Sequence, residues 1–338
     1  MRVPRDVEAD GVLWTVERAW PDRGSVALEV SRPGVTHRRA GHVTARGEVR
    51  LLPAGEDPRL PALERESRGG AVVSHRPGRR AVVRSASGER FSKVVRPGRG
   101  GALSAAARAA EVLAGHVALP RVVESDEERL VLSALPGRSL LSLADAPADQ
   151  WQAAWRAWAE AWAGVAAVEP WTAPVVHDAA AEVQVLADWR QKASAVLDDA
   201  HLALLDIAVA DVSARLRSGR PAPAVPCHRD LHDQQVLWHP DHGIGLLDVD
   251  TLAAGEAELD LGNLRAHVAL RRRQGLTSTE QAAVALEQVD SVAERRRIDP
   301  RRLRTYEDAA TARLVCVYAF RPRWRDVALD LLDSLSGR

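Results

Sequence analysis

The chain has 338 residues, of which 46 are basic and 46 acidic, so its formal net charge is zero; this excludes the electrostatic footprint of a nucleic-acid binder. Its length allows two or three folding units with ample core. The N-terminus is charged, without the apolar run of a secretion signal, and no uninterrupted apolar stretch nears the roughly 18 residues that span a bilayer, so no membrane partner is expected.

In chain order, residues 12–17, 25–30, 42–45 and 48–52 are short apolar-rich runs separated by Pro, Gly and Asp, the pattern of strands joined by turns. Residues 1–68 therefore read as a β-rich N-terminal extension, with a linker from Pro53 to Gly70. Strands are expected at 71–74, 81–84 and 90–95, with turns at Arg76-Pro77-Gly78 and Ser87-Gly88. Lys93, on the third of these, is one of two lysines among the 46 basic residues. In a chain that otherwise uses arginine for positive charge, it marks a place for a compact ammonium. Ser104 is placed as the N-cap of a helix over 105–114, whose one acid is Glu111. A strand follows at 129–133, then Ala134-Leu135-Pro136-Gly137. From there helical periodicity dominates, and Trp151, Trp155, Trp158 and Trp162 form a single stripe that reads as a buried packing face. Thr277-x-x-Glu280 reads as a capping box opening a helix to about Glu294. Arg271 to Arg273 and the arginines from 296 to 302 read as solvated surfaces. Arg321 and Arg323 are offered as contacts to an acidic substrate.

The chemistry is concentrated in one stretch. Cys227-His228-Arg229-Asp230-Leu231-His232-Asp233-Gln234-Gln235 is a polar loop leading into a strand. A turn at 239–243 and a second strand bring in Asp248 and Asp250, with Asp248 eighteen residues after Asp230. Moving a γ-phosphoryl group needs a carboxylate to orient the attacking hydroxyl and accept its proton, and oxygen ligands that hold Mg²⁺ against the triphosphate. Asp230, Gln235 and Asp248 are of the right types. The histidines at 228, 232, 239 and 242 lack the spacing of a zinc site. Asp233 reads as a turn residue. Cys227 is a small buried hydrophobe rather than a nucleophile, and with Cys316 it cannot build a disulfide framework, which suits a reducing cytoplasm.

The stretch resembles the aminoglycoside phosphotransferase and choline kinase-like superfamily, whose loop reads His-x-Asp-x-x-x-x-Asn. His228 and Asp230 match it, while Gln235 stands at the Asn. Asp248, Gly255 and Asp260-Leu261 keep the spacing of the family's downstream motif, with Glu256-Ala257 in place of Asp-Pro. The resemblance implies an α+β, protein-kinase-like two-lobe fold. The extension (1–68) would precede a nucleotide-binding lobe (69–135) and a helical catalytic and substrate lobe (136–338). It further implies ATP or GTP as donor, with Lys93 at the α/β-phosphates, Glu111 as its partner, and Ser133 and Leu135 at the hinge beside the nucleotide base. Mg²⁺ would be held by Gln235 and Asp248, with Asp250 assisting through water. Asp230 would be the base, braced by His228, and Asp260 would steady the loop.

The acceptor would be a hydroxyl of an aminoglycoside-like antibiotic, sugar or aminosugar. Asp178, Glu182, Glu256 and Glu258 are candidates for an acidic acceptor pocket. The Asn-to-Gln change and the turn at 75–79, with one glycine, leave a nucleotide-binding pseudokinase with a regulatory or scaffolding role as the alternative. A protein kinase is disfavoured, because only eleven residues separate Asp248 from Asp260.

Overall fold

The computed structural model describes residues 2–22, 24–168 and 175–336. The alternating N-terminal runs pair in sequential antiparallel order as β1 (Asp6–Ala9), β2 (Val12–Asp22), β3 (Ser25–Ser31), β4 (Arg39–Thr44) and β5 (Val49–Leu51). Strand side chains alternate between faces, and β3 uses both. Val26, Leu28 and Val30 join an apolar cluster with residues of the C-terminal helices, and Glu29, on the opposite face, reaches the next sheet.

The stretch expected to be a plain linker contains a helix, α1 (Ala62–Arg68). Leu60, Ala62 and Leu63 pack with Val72, Ala81, Val83 and Val94, so apolar burial folds this segment onto the sheet that follows. That sheet comprises β6 (Gly70–Arg76), β7 (Arg80–Ser85), β8 (Arg90–Val95), β9 (Val122–Ser125) and β10 (Arg129–Ser133), in the order β6-β7-β8-β10-β9. Between β8 and β9 lies α2 (Gly100–Ala109), which continues as a 3₁₀ turn over Ala110–Leu113. The helix begins four residues before the expected cap, and Ser104 lies inside it with its hydroxyl bonded to the Gly100 carbonyl. Gly100 allows a close approach, since a Cβ there would lie 1.9 Å from the Asp126 carbonyl oxygen.

The remaining chain is mostly helical. In order come β11 (Arg138–Ser139), α3 (Ala148–Val165), β12 (Val176–His177), α4 (Ala179–Ala193), α5 (Asp199–Ser218), β13 (Ala224–Cys227), β14 (Val236–His239), β15 (Gly243–Leu246) and β16 (Ala253–Glu256). The helices α6 (Ala257–Arg273), α7 (Thr279–Arg295), α8 (Pro300–Ala319) and α9 (Arg325–Ser336) close the fold. Two three-stranded sheets, β11-β14-β15 and β12-β16-β13, carry the β14–β15 hairpin and its flanks. The capping box of α7 lies one residue beyond the expected pair, with Ser278 and Gln281 exchanging bonds. No helix among the described residues is long and apolar enough to cross a membrane.

The four tryptophans of α3 are buried as expected, with ring centroids of successive pairs 5.7–6.2 Å apart. They share a core with Leu231, Val236 and Leu246 of the β14–β15 hairpin and the loop before it, and with Val289 and Val292 of α7. Trp158→Ala is expected to cost about 3–5 kcal/mol, read as a lower unfolding midpoint at an unchanged denaturant slope.

Candidate active site

An irregular loop near the core must find partners for its backbone polar groups, and the loop after β13 finds them in nearby side chains. Asp260, in the first turn of α6, accepts from the amides of His228 (2.6 Å) and Arg229 (2.8 Å). Thr251 Oγ1 donates to the His228 carbonyl, and Asn263 Nδ2 donates to that of Leu231, each at 2.8 Å. The His228 ring is buried. Its Nε2 donates to the Leu247 carbonyl (2.7 Å) and its Nδ1 accepts the Asp230 amide (3.3 Å), so the bonds assign the tautomer and tie the loop to the end of the hairpin. Arg229 is held at φ +68°, a strained conformation for a residue with a side chain. The result is a rigid loop with the Asp230 side chain left 47% exposed.

Opposite this loop the two lobes meet through charge. Lys93 Nζ bonds Asp248 Oδ1 and Asp250 Oδ1, both at 2.7 Å. Asp248 is not on a strand as expected, because it takes a left-handed conformation (φ +56°) that ends the hairpin, and Asp250 follows in a 3₁₀ turn. Both carboxylates still face the ammonium. Gln235 Nε2 is 3.4 Å from Asp248 Oδ2, and the guanidinium of Arg80 is 4.0 Å from the same oxygen. Burial alone would push the Asp248 carboxyl up, but Lys93 and Arg80 hold it well below the usual range. Burial pushes Asp250 up, and the neighbouring Asp248 charge adds to that.

Glu111, expected as the lysine's partner, is exposed on the 3₁₀ turn after α2. The aspartates at 248 and 250 occupy the ammonium in its place. At the hinge, Ser133 uses its amide and hydroxyl on Arg121, and the Ala134 amide bonds the Glu89 carbonyl. Leu135 sits over Gly245 of β15, where a Cβ would come within 3.0 Å of its Cδ1.

The carboxylates expected to line an acidic pocket are engaged elsewhere or buried. Asp178 caps α4, Glu182 bonds His177 (2.8 Å), and Glu256 bonds Arg302 and Tyr306 in the core. Glu258 is buried, which pushes its carboxyl up to about 7. Asp233 is a turn residue but also a buried ion-pair partner of Arg271 at 2.9 Å, within what was expected to be a solvated arginine run. Asp233, His232 and His267 bring possible ligand atoms within 4.8 Å of one another. Arg271 occupies the carboxylate, however, and the imidazoles stack 21° from parallel, so their lone pairs do not converge. Arg321 does not reach toward a substrate, because its guanidinium lies over the Trp20 ring of β2. Sequence reasoning missed Thr251, Asn263 and Arg80, for which no local pattern gives a signal.

The model of a phosphotransferase enzyme family matches residues 75–306. No curated protein matches the chain. Among solved structures, aminoglycoside phosphotransferase APH(3'')-Id from Streptomyces rimosus is similar, with TM-score 0.54 and 23% identity over 74% of this chain and 94% of its own. A glucosamine kinase gives 0.53 and 20% over 95% and 94%, and aminoglycoside phosphotransferase APH(4)-Ia gives 0.58 and 15% over 79% and 93%. The first has a structure in complex with ADP and streptomycin, and the second one with glucosamine, ADP and inorganic phosphate. These likenesses bear out the kinase-like α+β fold.

Proposed function

The chain belongs to the phosphotransferase enzyme family, and we propose that it moves the γ-phosphoryl group of ATP or GTP to a hydroxyl of a sugar or aminosugar. The observation that carries this reading is the contact of Lys93, on the nucleotide sheet, with Asp248 and Asp250 at the end of the catalytic hairpin. Asp230 accepts the acceptor's hydroxyl proton as the oxygen attacks the γ-phosphorus. The bond to the β-phosphate oxygen breaks, and the nucleoside diphosphate leaves beside Lys93 and Arg80. Ser133 and Leu135 are the hinge residues beside the base, with the Ser133 amide and hydroxyl already bonded to Arg121.

Asp248, Asp250 and the amide oxygen of Gln235 after a flip are hard oxygen donors close together, a set that fits Mg²⁺. Mg²⁺, when bound, would neutralise phosphate charge. The flip is an allowed reassignment, because the oxygen and nitrogen of a glutamine amide are told apart only by their partners.

Two observations favour a sugar over a polycationic antibiotic. The glucosamine kinase likeness covers 95% of the chain, extension included. Among the described residues, the four expected pocket carboxylates are buried or tied to other groups. The free, buried thiols of Cys227 and Cys316 suit the cytoplasm. The test is incubation with γ-labelled ATP, Mg²⁺ and a panel of hexoses, hexosamines and aminoglycosides. Label is expected in a hexose or hexosamine, whereas transfer to an aminoglycoside alone, or to nothing across the panel, overturns the substrate assignment.

A further inference from the structure

We propose that two buried carboxylates outside the cleft, Glu29 of the extension and Asp57 of the segment before α1, are positioning residues that set the β6–β7 turn for nucleotide phosphates. The inference rests on the phosphotransferase reading, in which that turn covers the phosphates. The physical reason begins at β6, the edge of the nucleotide sheet, whose outward backbone groups would lack partners. The extension supplies them. The Val72 carbonyl accepts the Arg38 amide (2.9 Å), the Val72 amide donates to His37 Nδ1 (3.3 Å), and the His75 amide donates to Glu29 Oε2 (2.6 Å).

Asp57 continues this line around the turn. Its Oδ2 accepts from His75 Nε2 (3.0 Å) and from the Gly78 amide (2.6 Å), and its Oδ1 accepts the Arg59 amide (2.9 Å). One carboxylate oxygen therefore ties the end of β6 to the turn that follows it. Gly78 is at φ +61°, a conformation that residues with a side chain rarely adopt, and a Cβ there would lie 3.0 Å from Arg59 Cδ. Glu29, Asp57 and His75 are all buried, and charges withdrawn from water persist only where their bonds are nearly complete. Two residues beyond Gly78, Arg80 places its guanidinium beside Asp248. A displaced turn therefore displaces both the phosphate cover and this cation.

The test is calorimetry of ATP and ADP with Mg²⁺ on the full chain, together with steady-state rates and melting temperatures for the wild type, Asp57→Ala, Asp57→Asn and Glu29→Ala. Loss of a charge-assisted bond predicts about tenfold weaker nucleotide binding for Asp57→Ala. The nucleotide KM should rise accordingly, with kcat at saturation and acceptor KM little changed. Asp57→Asn keeps one acceptor oxygen and is expected to recover part of the loss, so it reports on the tether even if Asp57→Ala does not fold. Variants that melt lower yet bind nucleotide like the wild type would make both carboxylates merely structural and overturn the inference. A wild type that binds no nucleotide would overturn the phosphotransferase reading itself, which is a separate outcome.

Discussion

Replacing Asp230 with alanine is expected to lower phosphoryl transfer by about 10²–10⁴-fold, the usual contribution of a positioned proton acceptor, while leaving nucleotide affinity and melting temperature unchanged. The separation of effects follows from the loop. Asp260, Thr251 and Asn263 hold its backbone, and the Asp230 side chain is half exposed and has no hydrogen bond to Lys93. The loop therefore keeps its shape without the carboxylate, and the nucleotide loses no direct contact. Single-turnover transfer, nucleotide calorimetry and a thermal melt on the same preparation check this. Unchanged turnover would remove Asp230 from the chemistry, and a large drop in melting temperature would show that it also supports the fold.

Asp248→Ala should instead abolish the gain in nucleotide affinity that Mg²⁺ provides. Removing partners that merely orient metal ligands costs roughly 10–100-fold in metal affinity or activity, and loss of a ligand should cost at least that. Asp248 also shares the Lys93 ammonium with Asp250. Its removal leaves a simple Lys93–Asp250 pair, so little stability should be lost, and the Asp250 carboxyl, freed of a neighbouring negative charge, should titrate lower. Calorimetry with and without Mg²⁺ reads the first effect. Equal metal dependence in variant and wild type would exclude Asp248 as a ligand.

Where the chain's local grammar decided the outcome, the sequence was a good guide. The hairpin between Asp230 and Asp248, the tryptophan face of α3 and the lysine on β8 are all short-range patterns, and each lies in the element expected. Contacts set by lobe docking were not legible. Lys93 meets aspartates 155 and 157 positions away rather than Glu111, eighteen away, because α2 offers no acid of its own. Ser104 misled as a cap, because α2 starts at Gly100 and the serine hydroxyl bonds the Gly100 carbonyl inside the helix. At α7, Thr277–Glu280 and Ser278–Gln281 both satisfy the same capping pattern, and only the structure separates them. Asp248 was read as a strand residue because nothing in its neighbours announces the left-handed turn that ends the hairpin.

The double-sided burial of β3 bears on how wide the cleft can gape. Two bodies joined by a hinge open like a book, but here a third body is wedged against both, with Val26, Leu28 and Val30 set among residues of α8 and α9 and Glu29 bonded to His75. Any broad swing would have to tear one of those seams. The extension thus bridges the two lobes, and opening the cleft would cost contacts on one side of β3 or the other.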